Sequence, residues 1–263
     1  MVLSEHDKQS LTSHHPESNK LIYLYLGSKE YLRGERRWCL YIDDDNLSMA
    51  KAIPEIKERL NQVSNTRANS SEKSTRLLAD MPHKYYFTSY CHSNALIIPR
   101  TSSERRDYIP IGFVNDNVII SDAAQAIYNA EPITIGMITY RMHMTRVRTV
   151  AGRLKTDYRY SSSLCYNTFP FPNISEKQKK LLEFHVFNVL DERERHSEKT
   201  LAELYDPDKM PAGPREAHHN LDIAIEQCYR LKPFESDEER LEYLFALYEQ
   251  MTSKDSKYMK ELI

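Results

Sequence analysis

The chain has 263 residues, long enough for one or two domains with a sizeable core. It is 28% charged and 40% hydrophobic, with a formal net charge of -2, which is the composition of an ordinary globular protein. No apolar run approaches the roughly 20 residues needed to cross a bilayer, and no signal peptide opens the sequence. Cys39, Cys91, Cys165 and Cys228 are far apart with no CxxC pair, which favours reduced thiols over disulfides or a zinc site.

In chain order, residues 3–22 predict a short helix capped by Ser4 and stopped before Pro16. Strand-like runs follow: LIYLYL, RRWCLYI, KYYFTSY, ALIIPR, YIPIGFV and NVIIS. All are rich in aromatic and β-branched residues, and turn signals such as 43–46 and 115–117 bound them. A polar helix is predicted over about 48–64, interrupted at Pro54, and a flexible loop over 65–74. The texture changes after Pro172. Ser175 with Gln178 and Ser236 with Glu239 form two capping boxes, and Leu181, Phe184 and Val189 follow at roughly helical spacing, as do Ala217, Leu221, Ile225 and Cys228. The expected class is α+β, with a strand-rich mixed domain over 1–172 followed by a helical domain over 173–263.

Charge divides at the same place. Residues 1–172 hold 22 Lys and Arg against 18 Asp and Glu, whereas 173–263 hold 14 against 20. The basic excess peaks between Arg141 and Arg159, where five Arg and Lys155 face only Asp157. If extended, Arg146 and Arg148 share a face, as do Arg153, Lys155, Asp157 and Arg159. Arg and Lys can neutralise phosphates or donate to guanine, and Asp can accept from the cytosine amine. A Lys and an Asp two residues apart can thus address both members of one G·C pair. A solvated ladder of salt bridges fits the same spacing, and the two readings stay open on spacing alone.

Catalytic signatures are missing. Six unclustered Gly supply neither GxGxxG nor a P-loop, and ten His supply no HExxH. His218-His219 reads as a packed or solvated helical pair, and Ser161 to Ser163 lack a GxSxG elbow. Glu104 in SSERR reads as an ion-pair partner of Arg105 or Arg106. No catalytic residue and no metal ligand is nominated.

GRLKTDYRYS followed by CYNTFPFP, then LAELYDPDKMP, AHHNLDIAIEQCY and SDEERLEYLFALYEQMT, resembles the end of MmeI-like restriction–modification enzymes. LGSKEYLRGERRWCLYI and PRTSSERRDYIPIGF resemble the opening and middle of the same recognition domain, so the likeness covers nearly the whole chain in the family's order. These enzymes are large single chains joining an endonuclease, an adenine methyltransferase and a DNA target-recognition domain. FPFP stands where the family more often has Phe-Pro-Trp-Pro, a conservative aromatic change. The methyltransferase motif Asn-Pro-Pro-Phe/Tyr does not occur here. The resemblance therefore implies a recognition module, cut from or encoded apart from its catalytic part, that binds double-stranded DNA and the methyltransferase domain of its parent. No cofactor is expected on this chain, and S-adenosylmethionine and Mg are expected for the catalytic domains.

The resemblance also implies site residues. The positions on Lys155 and Asp157 vary together in relatives: a Lys/Asp pair goes with guanine beside the methylated adenine, and a Glu/Arg pair with cytosine. Arg159 is expected beside them as a further contact. Backbone or groove contacts are expected from Arg146, Arg148, Arg153, Tyr160, Ser161, Ser103, Arg105 and Arg106. Phe169 and Phe171 are expected to pack rather than to bind. The implied location is a prokaryotic cytoplasm. A divergent but intact DNA methyltransferase, and a module that binds protein rather than DNA, are the competing possibilities.

Overall fold

The computed structural model describes residues 1–86 and 89–260, with side chains through Ser253. Two compact units interleave along the chain. The first comprises 1–26, 35–93 and 115–121, and the second comprises 27–34, 94–114 and 122–263.

In the first unit a four-stranded sheet runs Val2–Leu3, Trp38–Leu40, Ile22–Leu26, Val118–Ile120, with the last pair parallel and the others antiparallel. The helix Glu5–His14 begins where Ser4 predicts it. Ser4 Oγ accepts from Asp7 N, and the Asp7 carboxylate accepts from Ser4 N, which satisfies two otherwise orphaned donors. Leu3, Leu11, Leu21, Leu40, Ile53, Ile56 and Leu60 close a core between sheet and helices.

Two expectations change in this unit. Pro54 does not interrupt a helix; it occupies the first turn of Pro54–Ala68, where its missing N–H costs nothing, after a separate helix Leu47–Ala52. The predicted loop 65–74 is helical to Ala68 and again at Lys73–Arg76. Arg67 ties the following segment down by donating to the carbonyls of Leu78, Met81 and Lys84 at 3.1, 2.9 and 2.7 Å. In the run KYYFTSY, Lys84 to Tyr86 and Ser89 to Tyr90 are not in a strand, and Phe87 and Thr88 lie outside the described residues. Tyr85 instead donates its hydroxyl to the Leu40 carbonyl at 2.9 Å.

The second unit holds two three-stranded antiparallel sheets. One runs Gly112–Val114, Ala95–Pro99, Ala124–Tyr128, and the other runs Thr101–Ser102, Asp157–Arg159, Gly152–Leu154. The strand Ala124–Tyr128 and the helix Pro132–Thr139 were not legible in the sequence. The remaining chain is helical, as expected after Pro172: Glu176–Glu194, Leu201–Leu204, Ala212–Tyr229 and Asp237–Lys260. Ser175 and Gln178 form their reciprocal box. Ser236 caps Glu239 N, but the Glu239 carboxylate turns to Glu235 N and Arg230, so the second box is half made.

One core joins both kinds of structure. Leu96, Ile98, Ile109 and Ile111 pack with Met142, Val147, Tyr158 and Phe169, and with Leu182, Val186, Leu221 and Ile225 of the late helices. Phe169 is buried and Phe171 packs against it with ring centroids 4.9 Å apart, in the packing role expected of both.

Candidate nucleic-acid interface

The run Arg141–Arg159 folds as a helix followed by a hairpin, not as one extended segment. Residues Arg141–Val150 are helical, with Met142 through Val147 buried. Its first N–H, on Arg141, is satisfied by the Asp222 carboxylate at 2.8 Å, a cap brought from another helix. Thr145 and Thr149 return their hydroxyls to the carbonyls four residues back. Arg146 and Arg148 are therefore not on one strand face.

Gly152–Leu154 and Asp157–Arg159 then pair antiparallel, with Asp157 opposite Leu154, Tyr158 opposite Arg153 and Arg159 opposite Gly152. Lys155 and Thr156 form the two-residue turn. Lys155 has φ +57°, at the first central position, where glycine is the usual occupant. Because the chain reverses there, the period-two face does not continue across the turn. Asp157 and Arg159 share one face, and Arg153 lies on the opposite face with buried Tyr158. The turn thrusts exposed Lys155 outward beside half-buried Asp157, and Arg159 is exposed.

Most of the basic run is neutralised within the fold. Arg141 pairs with Asp237 at 2.8 Å, and Arg153 pairs with Glu104 at 3.1 Å while its guanidinium lies 4.3 Å from the Tyr158 ring centroid. Arg153 also donates to the Thr156 carbonyl at 2.9 Å, which braces the turn. Glu104 thus pairs with Arg153 rather than with its neighbours, and Arg105 pairs with Asp208. Arg148 approaches Asp107 and Asp237, each at 3.5 Å. Among the described residues, Lys155 and Arg159 are the cations of this run that lack both a carboxylate partner and a buried position.

Two nominated contacts point inward. Arg146 is 3% exposed, donates to Thr168 Oγ at 2.9 Å and lies over the Tyr248 ring, and burial lowers its pKa. Tyr160 is 1% exposed and hydrogen-bonds His143 at 3.0 Å, so it belongs to the core. Burial, with the Arg146 charge adding, pushes His143 down to about 3, so it stays neutral. His143 and Arg146 anchor the two ends of 160–168, a segment containing one π-helical turn, Ser162–Tyr166. The amphipathic helix carrying both residues was hidden by a competing period-two pattern.

Ser103 and Arg106 border the hairpin through the third strand, where Ser102 pairs with Tyr158. Ser103 Oγ accepts from Arg105 N at 3.4 Å. Burial lowers the Arg106 pKa, opposed by the charges of Asp157 and Asp206, and its guanidinium donates to Ser102 Oγ at 3.4 Å. Ser161 is half-buried, and its hydroxyl meets that of Ser163 at 2.8 Å. His218 is buried against Tyr205 and Tyr108, while His219 is exposed, as a packed and solvated pair. Among the described residues, no cluster of His, Cys, Asp or Glu is placed to hold a metal ion, and no helix is long and apolar enough to cross a membrane.

A strand-rich part followed by helices is the order of a known recognition domain and its C-terminal partner. Residues 1–173 match the family model described as MmeI, target recognition domain, and 174–255 match that described as MmeI, C-terminal domain. The chain belongs to the MmeI family. It is similar to DNA methyltransferase A of Bacillus subtilis (strain 168), 43% identical over 240 residues that make up 91% of this chain and 27% of that protein. A solved structure of the Type IIL restriction–modification enzyme MmeI in complex with DNA matches with a TM-score of 0.91 at 39% identity, covering 96% of this chain and 34% of that one. The chain thus spans about a quarter to a third of the length of these relatives.

Proposed function

We propose that this chain is the sequence-specific double-stranded DNA recognition module of a type II restriction–modification enzyme that methylates adenine. The observation that carries this function is the recognition hairpin, with Lys155 at its turn and Asp157 opening the return strand. Lys155 donates to the N7 and O6 acceptors of a guanine, and Asp157 accepts from the N4 amine of the paired cytosine. Arg159, on the Asp157 face, supplies a further base or phosphate contact. Ser103, Arg106, Arg148 and Ser161 flank this surface and serve the backbone, while Arg153 and Arg105 act through their ion pairs to hold it. S-adenosylmethionine and Mg serve the methyltransferase and nuclease parts of the parent enzyme, in a prokaryotic cytoplasm. The division near Pro172 separates the DNA-reading part from the helical part.

The test is a charge swap in a full-length enzyme that contains this module. Lys155→Glu alone sets a carboxylate against two acceptors and costs about 1–3 kcal/mol, so activity collapses. Lys155→Glu with Asp157→Arg exchanges donor and acceptor together and moves the preference at one base pair from G·C to C·G. Methylation of random-sequence DNA, read at the modified sites, reports the change. An active double variant with an unaltered site would reduce the pair to a surface ion pair.

A further inference from the structure

Three guanidinium groups and an imidazole converge on one cleft of the second unit. It encloses about 300 Å³ and is lined by Asp107, Tyr108, Arg141, Arg148, Arg215 and His219. Arg141 opens the Arg141–Val150 helix and Arg148 lies near its end, while Arg215 and His219 sit four residues apart on Ala212–Tyr229 and so share a face. Three permanent positive charges at this density repel one another and call for anions.

The fold supplies too few. Asp107, the carboxylate in the lining, reaches Arg148 and Arg215 at only 3.5 and 3.6 Å, beyond good hydrogen-bond geometry. Asp237 lies close to Arg141, at 2.8 Å, but meets Arg148 at 3.5 Å. Two carboxylates therefore face three guanidiniums. Asp222 is adjacent, but burial pushes it up to about 7, so it is a weak counter-charge at neutral pH. Beyond these pairs, Arg148 reaches the Arg106 carbonyl at 3.5 Å and Arg215 donates to the Pro207 carbonyl at 2.9 Å, so neither guanidinium is held in a close two-bond pair with a carboxylate.

We propose that this cleft is a phosphate-binding site. The guanidinium forks of Arg148 and Arg215 match the geometry of a tetrahedral oxyanion, and His219 adds a donor at the rim. The phosphate is one of the DNA backbone or one free in solution. The backbone source rests on the recognition function above. Arg148 reaches the Arg106 carbonyl at 3.5 Å, and the Arg106 guanidinium donates at 3.4 Å to Ser102, which pairs with Tyr158 of the hairpin. A phosphate seated in the cleft thereby fixes the register of a duplex against the hairpin, since phosphate contacts position and base contacts specify.

Two variants of the whole chain test this with opposite signs. Arg215 is 47% exposed, so Arg215→Gln removes a cation without opening the core, and Asp107→Asn removes the competing carboxylate. Thermal unfolding in inorganic phosphate against chloride at matched ionic strength is the first arm. Phosphate should raise the midpoint of the wild type, less for Arg215→Gln and more for Asp107→Asn. Binding to a random-sequence duplex across salt is the second arm. If the backbone fills the cleft, Arg215→Gln weakens binding about tenfold and flattens the salt slope by about 0.9. A phosphate response with an unaltered DNA slope assigns the cleft to free phosphate. Equal phosphate responses in all three proteins, with an unaltered DNA slope, overturn the proposal and leave the hairpin function standing. A wild type that answers phosphate but binds no duplex sinks the DNA function and keeps the cleft.

Discussion

Asp222 links the loop before Tyr108 to the helix that leads into the hairpin, and its titration should be visible in stability. Its carboxylate is 4% exposed, accepts from Tyr108 Oη at 2.7 Å and from Arg141 N at 2.8 Å, and burial raises its pKa from 3.8 to about 7. The folded state then holds a proton that the unfolded state has released, so this group lowers stability as pH rises from about 4 through 7. At 1.36 kcal/mol per pH unit, the gap is worth on the order of 4 kcal/mol at pH 8. Asp222→Asn resembles the protonated form. Its amide oxygen can accept from Arg141 N while its nitrogen donates to the Tyr108 oxygen. The variant should match the wild type near pH 4 and become progressively more stable above it, approaching that magnitude by pH 8. His143 and His218, both pushed to about 3 mainly by burial, act in the opposite sense, adding stability as pH rises toward 6.5. They are common to both proteins and cancel in the difference. Urea midpoints at pH 5, 6, 7 and 8 give the comparison. A difference that stays flat with pH, or a wild type that is the more stable at pH 8, would refute the reasoning.

Lys155→Gly relieves a left-handed residue and should raise the melting stability by roughly 1 kcal/mol while erasing discrimination at one base pair; unchanged site choice would show that the side chain reads nothing. Arg240 grips Glu226 through two contacts of 2.6 and 3.1 Å, with both side chains 9% exposed. Arg240→Met alone should cost about 3–5 kcal/mol by leaving a buried carboxylate unpaired, and adding Glu226→Leu should recover most of it, as denaturant melts would measure.

What is encoded within a few residues was legible. The Ser4 and Ser175 caps bond to residues three positions away, and the helical texture after Pro172 follows from apolar spacing on single helices, so neither needs distant partners to be recognised. The α+β order and the family were carried by such local patterns and by contiguous motifs. The basic run was the hardest part. Its charges are local in sequence, but the carboxylates that answer them, Glu104, Asp107 and Asp237, come from 41 to 96 positions away.

Periodicity fails there for the same reason. Both a two-residue and a helical repeat fit residues 141–150, and the helix is favoured by a cap from Asp222 and by the burial of Arg146 under Tyr248. The turn at Lys155 likewise depends on Arg153, which reaches Glu104 and the Thr156 carbonyl at once. The sequence by itself determined that a donor, Lys155, and an acceptor, Asp157, stand two residues apart in a basic run. Tertiary structure alone decided which cations remain available, because a charge is neutralised by whatever folding brings within a few ångströms, at whatever separation along the chain.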